Sequence, residues 1–365
     1  MRRVLAGLLC LLSAGCPLTV SGSGSVAVAA WSCRATGPGT AAGYAALWAG
    51  SPGGVRSADG WWSARLPDGR TAWVTGDGIV DGRLVNNTLL VQCGSELVSA
   101  SPGRPFLAPT DDRSWWGGAM VVDAGRLYSF VYGLREGVVT GVDLAVIRVP
   151  AGGQPVLEAV ARTPASDRPE GGRPLWGASA VAWPDGYVYV YGQSRVEGEF
   201  GRAVYLARVP SGRLAQPAAW RYLSTGGVWR PDESQLAQVI AAHGGPDNSW
   251  TTWRDSAGRV AFVSTADGPW SDRLCFYTAP APTGPYTFTE RVRLPAFTFR
   301  HARYLAMGHP GQLPGGKTLV SVSRSYDPCL TDAGQPVAGC TEADRLAHLM
   351  DPGNAGLYRP DWGAL

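Results

Sequence analysis

Lysine is almost missing from this chain: Lys317 is the only one, and arginine supplies the rest of the positive charge. Charged residues make up 17 %, the net charge is +3, and no basic stripe is present, which excludes a nucleic-acid binder. Beyond the N-terminus no apolar run is long enough to span a bilayer. No Cys/His spacing fits a zinc site, no G-x-S-x-G elbow supports Ser-His-Asp catalysis, and no glycine loop opens a phosphate-binding helix. Pairs such as Gly152-Gly153 and Gly171-Gly172 read as turns.

What is abundant is glycine (49), proline (28), tryptophan (15) and tyrosine (13). So much aromatic residue separates this composition from glycine-rich disorder and points to many short strands joined by tight turns. The N-terminus reads as a targeting leader, with Arg2-Arg3 ahead of the apolar run Val4 to Leu12. Two exits are open. Leu12-Ser13-Ala14-Gly15-Cys16 has the form of a bacterial lipobox, with Cys16 lipidated, and Ser21 to Ser25 would then be a flexible tether. Alternatively, Ala27-Val28-Ala29 offers a small-x-small cleavage site that releases the protein. In either case the protein is exported, and any membrane contact is through that anchor. The other cysteines suit an oxidising compartment. Cys329 and Cys340 are expected to be bridged, Cys33 with Cys93 is the next pairing, and Cys275 is left as a buried free thiol, unpaired core cysteine being the other reading for each pair.

The segment Asp59 to Asp77 reads as a β-hairpin: Trp61 to Leu66 runs out, Pro67-Asp68-Gly69-Arg70 turns, and Thr71 to Thr75 returns. With Asp68-Gly69 as a two-residue loop, Asp59 and Asp77 fall one residue out of register at the open end. Similar units recur. Turn glycines at Gly69, Gly125, Gly186, Gly258 and Gly316, spaced 56, 61, 72 and 58 residues, each precede a β-rich run. Five such units predict an all-β, five-bladed β-propeller over residues 31–365, following the leader and tether at 1–30. One short helical insertion is expected at Pro231 to Ala242, and the C-terminal segment Leu357 to Trp362 is expected near the residues that lead in, 31 to about 56.

In that architecture one mouth of the central channel collects the residues about ten before each turn glycine: Asp59, Trp116, Trp176, Asn248 and His309. The longer polar loops gather on the same face, where sites usually sit. Asp59 and Asp77 are the acid/base candidates, because glycoside hydrolysis needs one carboxylic acid and one carboxylate, and proximity drives their pKa values apart. Trp116 and Trp176 are candidates for stacking on a sugar ring, Asn248 for bonding a hydroxyl, and His309 for binding substrate or tuning a carboxylate. Asp111, Asp112, Glu197, Glu199, Asp267 and Asp272 are reserve acids in or near the mouth loops. No cofactor or protein-held metal is indicated; calcium in the central channel is left open. A monomer with a polysaccharide or cell-wall glycan as partner is expected.

Several stretches resemble exported actinobacterial five-bladed propellers catalogued as domains of unknown function. LPDGRTAWVTGD, VNNTLLV, WGGAMVV with GRLYSF, LWGASAV with YVYVYG, YTAPAPTGPY and GHPGQL carry the likeness. Relatives of that group are endo-D-arabinanases, and the architecture is similar to arabinanase and β-xylosidase propellers. In the D-arabinanases an aspartate opening the first blade and one in a following Gly-Asp-Thr act as the catalytic pair. The resemblance puts Asp59 and Asp77 on those positions, although here the second motif reads Gly76-Asp77-Gly78. It implies a hydrolase of arabinan-like furanoside polymers. The alternative is a non-catalytic carbohydrate-binding propeller using the same mouth.

Overall fold

The computed structural model describes residues 33, 37–110, 112–171 and 173–365. Cys16, the leader and Asp111 lie outside the described residues.

Among the described residues the chain is all-β, with two short α-helices, α1 (Ala41–Ala49) and α2 (Glu342–Met350). The expected hairpin is the centre of the first sheet, Trp62–Arg65, Thr71–Thr75, Thr88–Cys93 and Glu96–Ser99, in sequential antiparallel order. Its loop has three residues rather than two. Leu66 N–H donates to Arg70 O at 2.8 Å, Gly69 N–H donates to Leu66 O at 3.0 Å, and of the loop residues only Gly69 takes a positive φ, of 87°. That is the three-residue hairpin with glycine in the left-handed position. The register moves by one as a result, Trp62 pairing with Val74 and Arg65 with Thr71.

A three-stranded sheet of Val55–Ala58, Gly78–Val80 and Arg83–Val85 lies at its open end, and four more sheets follow. The second centres on Arg126–Arg135 and Val138–Arg148, the third on Tyr187–Ser194 and Ala203–Pro210, and the fourth on Val260–Thr265 and Arg273–Ala279. The fifth pairs His301–His309 with Leu319–Tyr326 and is completed by the C-terminal strand Asp361–Ala364. Neighbouring sheets touch in succession: Trp62–Arg65 meets Met120–Asp123, that strand meets Leu175–Ala182, and Leu175–Ala182 meets Thr252–Arg254. Val260–Thr265 then meets His301–His309, which returns to Trp62–Arg65. Apolar clusters fill the spaces between sheets, one built on Trp250, Phe262 and Tyr277, another on Phe130, Trp176 and Trp220. Such sheets bury both faces, which is why strands such as Thr71–Thr75 are buried throughout.

The terminal segments meet at α1, where Trp48 stacks parallel to Trp362 at 6.3 Å and sits edge-on to Trp61 at 4.3 Å. Cys33 is bonded to Cys93 and Cys329 to Cys340, and Cys275 is a buried free thiol. No helix among the described residues is long and apolar enough to cross a membrane.

The helix expected at Pro231 to Ala242 does not form. Gln235 takes a positive φ of 62°, and Gln238–Ile240 instead pairs as a strand with Ala203–Pro210. Glu233, expected in a first helical turn, is held by Arg168 at 2.9 and 3.0 Å, by Arg173 at 2.9 Å and by the Trp176 indole at 3.0 Å. An ion-pair cluster and a free strand edge outweigh a weak local preference for helix. The helix α2, inside the long segment 325–356, begins with a capping box of Thr341 and Asp344.

Candidate active site

Each of the five sheets in that cyclic succession, or a loop leaving it, contributes to one cavity of about 670 Å³. Asp59, Trp62 and Gly76 come from the first, Trp116 and Tyr132 from the second, Leu175 and Gln193 from the third. Asp247, Asn248 and Trp270 come from the fourth, and Tyr304 and Leu305 from the fifth. Its size is within the range of small-molecule sites.

Asp59 and Asp77 sit at the open end of the first hairpin. The Asp59 N–H donates to Asp77 O at 2.9 Å, and the Gly76 N–H donates to Asp59 O at 2.8 Å. The corrected register therefore places the two aspartates opposite each other. Gly76 lies directly beneath the Asp59 carboxyl, where a Cβ would collide with Asp59 Oδ1. Both aspartates are half-buried. Asp59 lines the large cavity, and it shares with Asp77 and Tyr304 an adjoining cavity of about 180 Å³.

The electrostatics separate the two. Loss of hydration, then repulsion from Asp77, push the Asp59 pKa up from 3.8 to about 7, against the Tyr304 hydroxyl, which donates to Asp59 Oδ2 at 2.8 Å. Burial also raises Asp77, but Asp77 Oδ1 accepts from the Asn86 amide at 2.9 Å and the Trp116 indole at 2.7 Å, and both donors favour the charged form. Asp59 is thus the better proton donor and Asp77 the better proton acceptor.

The remaining expected site residues divide. Trp116 lines the cavity, but its N–H is committed to Asp77. Asn248 also lines it, with its amide oxygen accepting from Arg202 Nε at 2.6 Å. Trp176 and His309 are not at the mouth. A register shift at Gly177-Ala178, with Gly177 at φ 105°, turns Trp176 into the core, where its ring lies over Gly192 and it is 0 % exposed. His309 is also 0 % exposed, between Trp73 and Trp362, bonded to Ser63 and Ser321 at 2.9 Å each. Burial pushes its pKa down to about 3, so it is a neutral core side chain. The turn that follows it is long, His309 pairing with Leu319, so Tyr304 takes the place at the mouth that counting back from Gly316 gave to His309.

Among the reserve acids Glu197 and Glu199 line the cavity on an exposed loop. Asp112, Asp267 and Asp272 are instead paired with Arg135, Arg273 and Arg293. The structure also adds residues that the sequence did not single out. Asp247 is fully buried, and its carboxylate accepts from the N–H of Asn248 at 2.5 Å and of Leu305 at 2.7 Å. Leu305 holds a positive φ of 49° in a bulge between Tyr304 and Ala306, so a single strained turn delivers the Tyr304 hydroxyl to Asp59 and the Leu305 N–H to Asp247. Glu170 bridges Arg195 at 2.8 Å and Arg202 at 3.2 Å. The Pro246-Asp247-Asn248 run was a usable signal for Asp247, since it adjoins Asn248; Asn86 stood in the VNNTLLV stretch but only as a polar strand entry, and nothing in the sequence marked Tyr304. No group of three or more His, Cys, Asp or Glu side chains among the described residues is arranged to hold a metal ion.

The sequence matches the family model described as Domain of unknown function (DUF5005) over residues 44–363. The chain belongs to this family. No curated protein matched. Among solved structures, this DUF5005 protein is similar to a "putative hydrolase" from Bacteroides ovatus ATCC 8483, with a TM-score of 0.63 and 17 % identity over 87 % of both chains. It is also similar to the exo-beta-1,3-galactanase of Phanerochaete chrysosporium solved with beta-1,3-galactotriose, at a TM-score of 0.50 and 11 % identity over 85 % of this chain and 60 % of that one. The GH43_1 enzyme from Xanthomonas citri matches at a TM-score of 0.45 and 16 % identity, over 77 % of this chain and 90 % of that one. At these identities the likeness is one of fold.

Proposed function

We propose that this DUF5005 protein is an exported glycoside hydrolase that cuts an arabinan-like furanoside polysaccharide, with Asp59 as general acid and Asp77 as general base. The observation that carries this reading is a carboxyl at the cavity wall, Asp59, whose pKa is lifted to about 7, beside a second carboxyl, Asp77, which burial also raises but whose charged form two donors favour. That division of labour is what glycosidic cleavage requires: one proton for the leaving oxygen and one base. The cyclic succession of sheet contacts supports the arrangement as a five-bladed propeller over residues 31–365, with the cavity at one mouth of its channel. The fold it shares with an exo-beta-1,3-galactanase agrees with a glycan as partner.

The test is a screen of the purified protein on D-arabinan, L-arabinan and xylan beside Asp59→Asn and Asp77→Asn. Release of reducing ends that both variants abolish is expected. Binding without release, unchanged in both variants, would leave a carbohydrate-binding propeller in its place. Export fits the two disulfides. We assign Cys16 as the lipidated residue of the leader, with release after Ala29 as the other outcome; loss of membrane association in Cys16→Ser decides between them.

A further inference from the structure

The lining of the large cavity, which does not include Asp77, holds polar groups left without a hydrogen-bond partner. Gln193 is 2 % exposed and lines the cavity, yet its amide oxygen has no hydrogen-bond partner among the described residues. The Tyr132 hydroxyl, in the same lining, is buried and has no partner at good hydrogen-bond geometry, although the Ser249 hydroxyl stands close enough to lower its pKa in part. Ser249, its neighbour in the cavity wall, donates to Ala178 O at 2.7 Å and accepts from the Trp62 indole at 3.0 Å. Burial pushes the Tyr132 pKa well up, against a smaller opposing pull from Ser249, so the hydroxyl keeps its proton and remains a donor. A buried polar group left unpaired costs about 1–3 kcal/mol, and two in one cavity call for a ligand or water as partner.

The charges nearby restrict what that ligand is. Both guanidiniums that line the cavity, Arg195 and Arg202, are paired with Glu170, and Arg202, which is 5 % exposed, also with Asn248. What fits is a neutral molecule that both donates and accepts, close to an apolar wall of Trp62, Leu175 and Trp270.

We propose that Gln193 and Tyr132 form a hydroxyl-recognising subsite that seats an uncharged sugar unit next to the bond presented to Asp59. Rotation of the Gln193 amide about its last torsion offers the cavity a donor or an acceptor, matching a sugar hydroxyl that does both. The subsite rests on the hydrolase reading of the same cavity, but it makes a separate demand: binding here does not need Asp59 to be ionisable.

The experiment uses Gln193→Leu and Tyr132→Phe, each in the full-length protein and again in an Asp59→Asn background. Calorimetry with arabino-, xylo- and galacto-oligosaccharides on the Asp59→Asn protein reads affinity without turnover. One of these probes is expected to bind, and each added substitution is expected to weaken it about tenfold, one unsatisfied group's worth. Because the two groups are unpaired in the free protein, both single variants should melt at the same temperature as the parent or higher. On any polysaccharide that the parent cleaves, KM should rise about tenfold with a smaller change in kcat. Unchanged affinity in Gln193→Leu, or a fall in melting temperature with affinity intact, overturns the subsite, as does failure of all three probes to bind. A parent protein that cleaves nothing but binds through Gln193 retains the subsite and removes the hydrolase.

Discussion

Asp59 and Asp77 face each other across the mouth of one hairpin, tied by a 2.9 Å hydrogen bond from the Asp59 N–H to the Asp77 carbonyl. Their side chains repel, and the repulsion adds to the burial that keeps the Asp59 proton on to about pH 7. An unfolded aspartate releases its proton near its ordinary value of 3.8. Below that pH both states are protonated and the group is neutral to folding. Between the two values the unfolded chain loses a proton that the folded chain retains, so stability falls as pH rises through this window and levels off above it. Asp77 and Asp247 are shifted the same way by burial and act in the same sense. Asp59→Asn removes its share of the slope. Melting temperatures taken between pH 4 and pH 8 should decline less in this variant than in the parent; parallel curves would show that Asp59 is an ordinary, solvated carboxylate.

Tyr304 modulates that proton. Its hydroxyl donates to Asp59 Oδ2 at 2.8 Å and so favours the ionised form. Tyr304→Phe takes the donor away and raises the Asp59 pKa by up to about one unit, the worth of one net hydrogen bond. If Asp59 is the acid, the alkaline limb of the pH–rate profile moves to higher pH in Tyr304→Phe, and activity above pH 7 increases relative to its maximum. An alkaline limb that stays in place would assign that titration to another group.

The hairpin and the periodic glycines were legible because turn chemistry and strand alternation are local. Gly69, Gly125, Gly186 and Gly258 each stand at a positive φ in a turn before the strand that was expected. Tyr304 and Trp176 were not legible, because bulges decide them. Counting back from a turn glycine assumes an unbroken ladder, and the ladders carrying these residues shift register at Leu305 and at Gly177-Ala178. The helix expected at Pro231 to Ala242 failed for a different reason, since the Arg168–Glu233 pairing joins residues 65 positions apart and has no local signature.

His309 separates a structural histidine from a binding one. Both ring nitrogens are engaged by serines, and the ring is enclosed by Trp73 and Trp362. His309→Ala should lower stability by about 2–4 kcal/mol, through the lost packing and the serine hydroxyls left unpaired. Denaturant titration reads that loss. At a temperature where the variant is still folded, its KM should match that of the parent, whereas a raised KM at full folding would return His309 to the site.

Gly76 bears most directly on the chemistry. It has no positive φ, so alanine is tolerated by its backbone, but a Cβ there would run into Asp59 Oδ1. Shifting the neighbour means moving a carboxyl fixed on its other side by Tyr304. The fold outside the cavity has no reason to respond, because the Gly76 N–H bond to Asp59 O does not depend on the side chain. A displacement of about 1 Å at a catalytic group costs on the order of 100-fold in rate. Gly76→Ala should therefore remain disulfide-bonded and cooperatively folded by circular dichroism, bind the same oligosaccharide through the Gln193 side of the cavity, and lose about two orders of magnitude in kcat. Retained kcat would mean that the Asp59 carboxyl swings aside without consequence, and that the bond being broken lies elsewhere in the cavity.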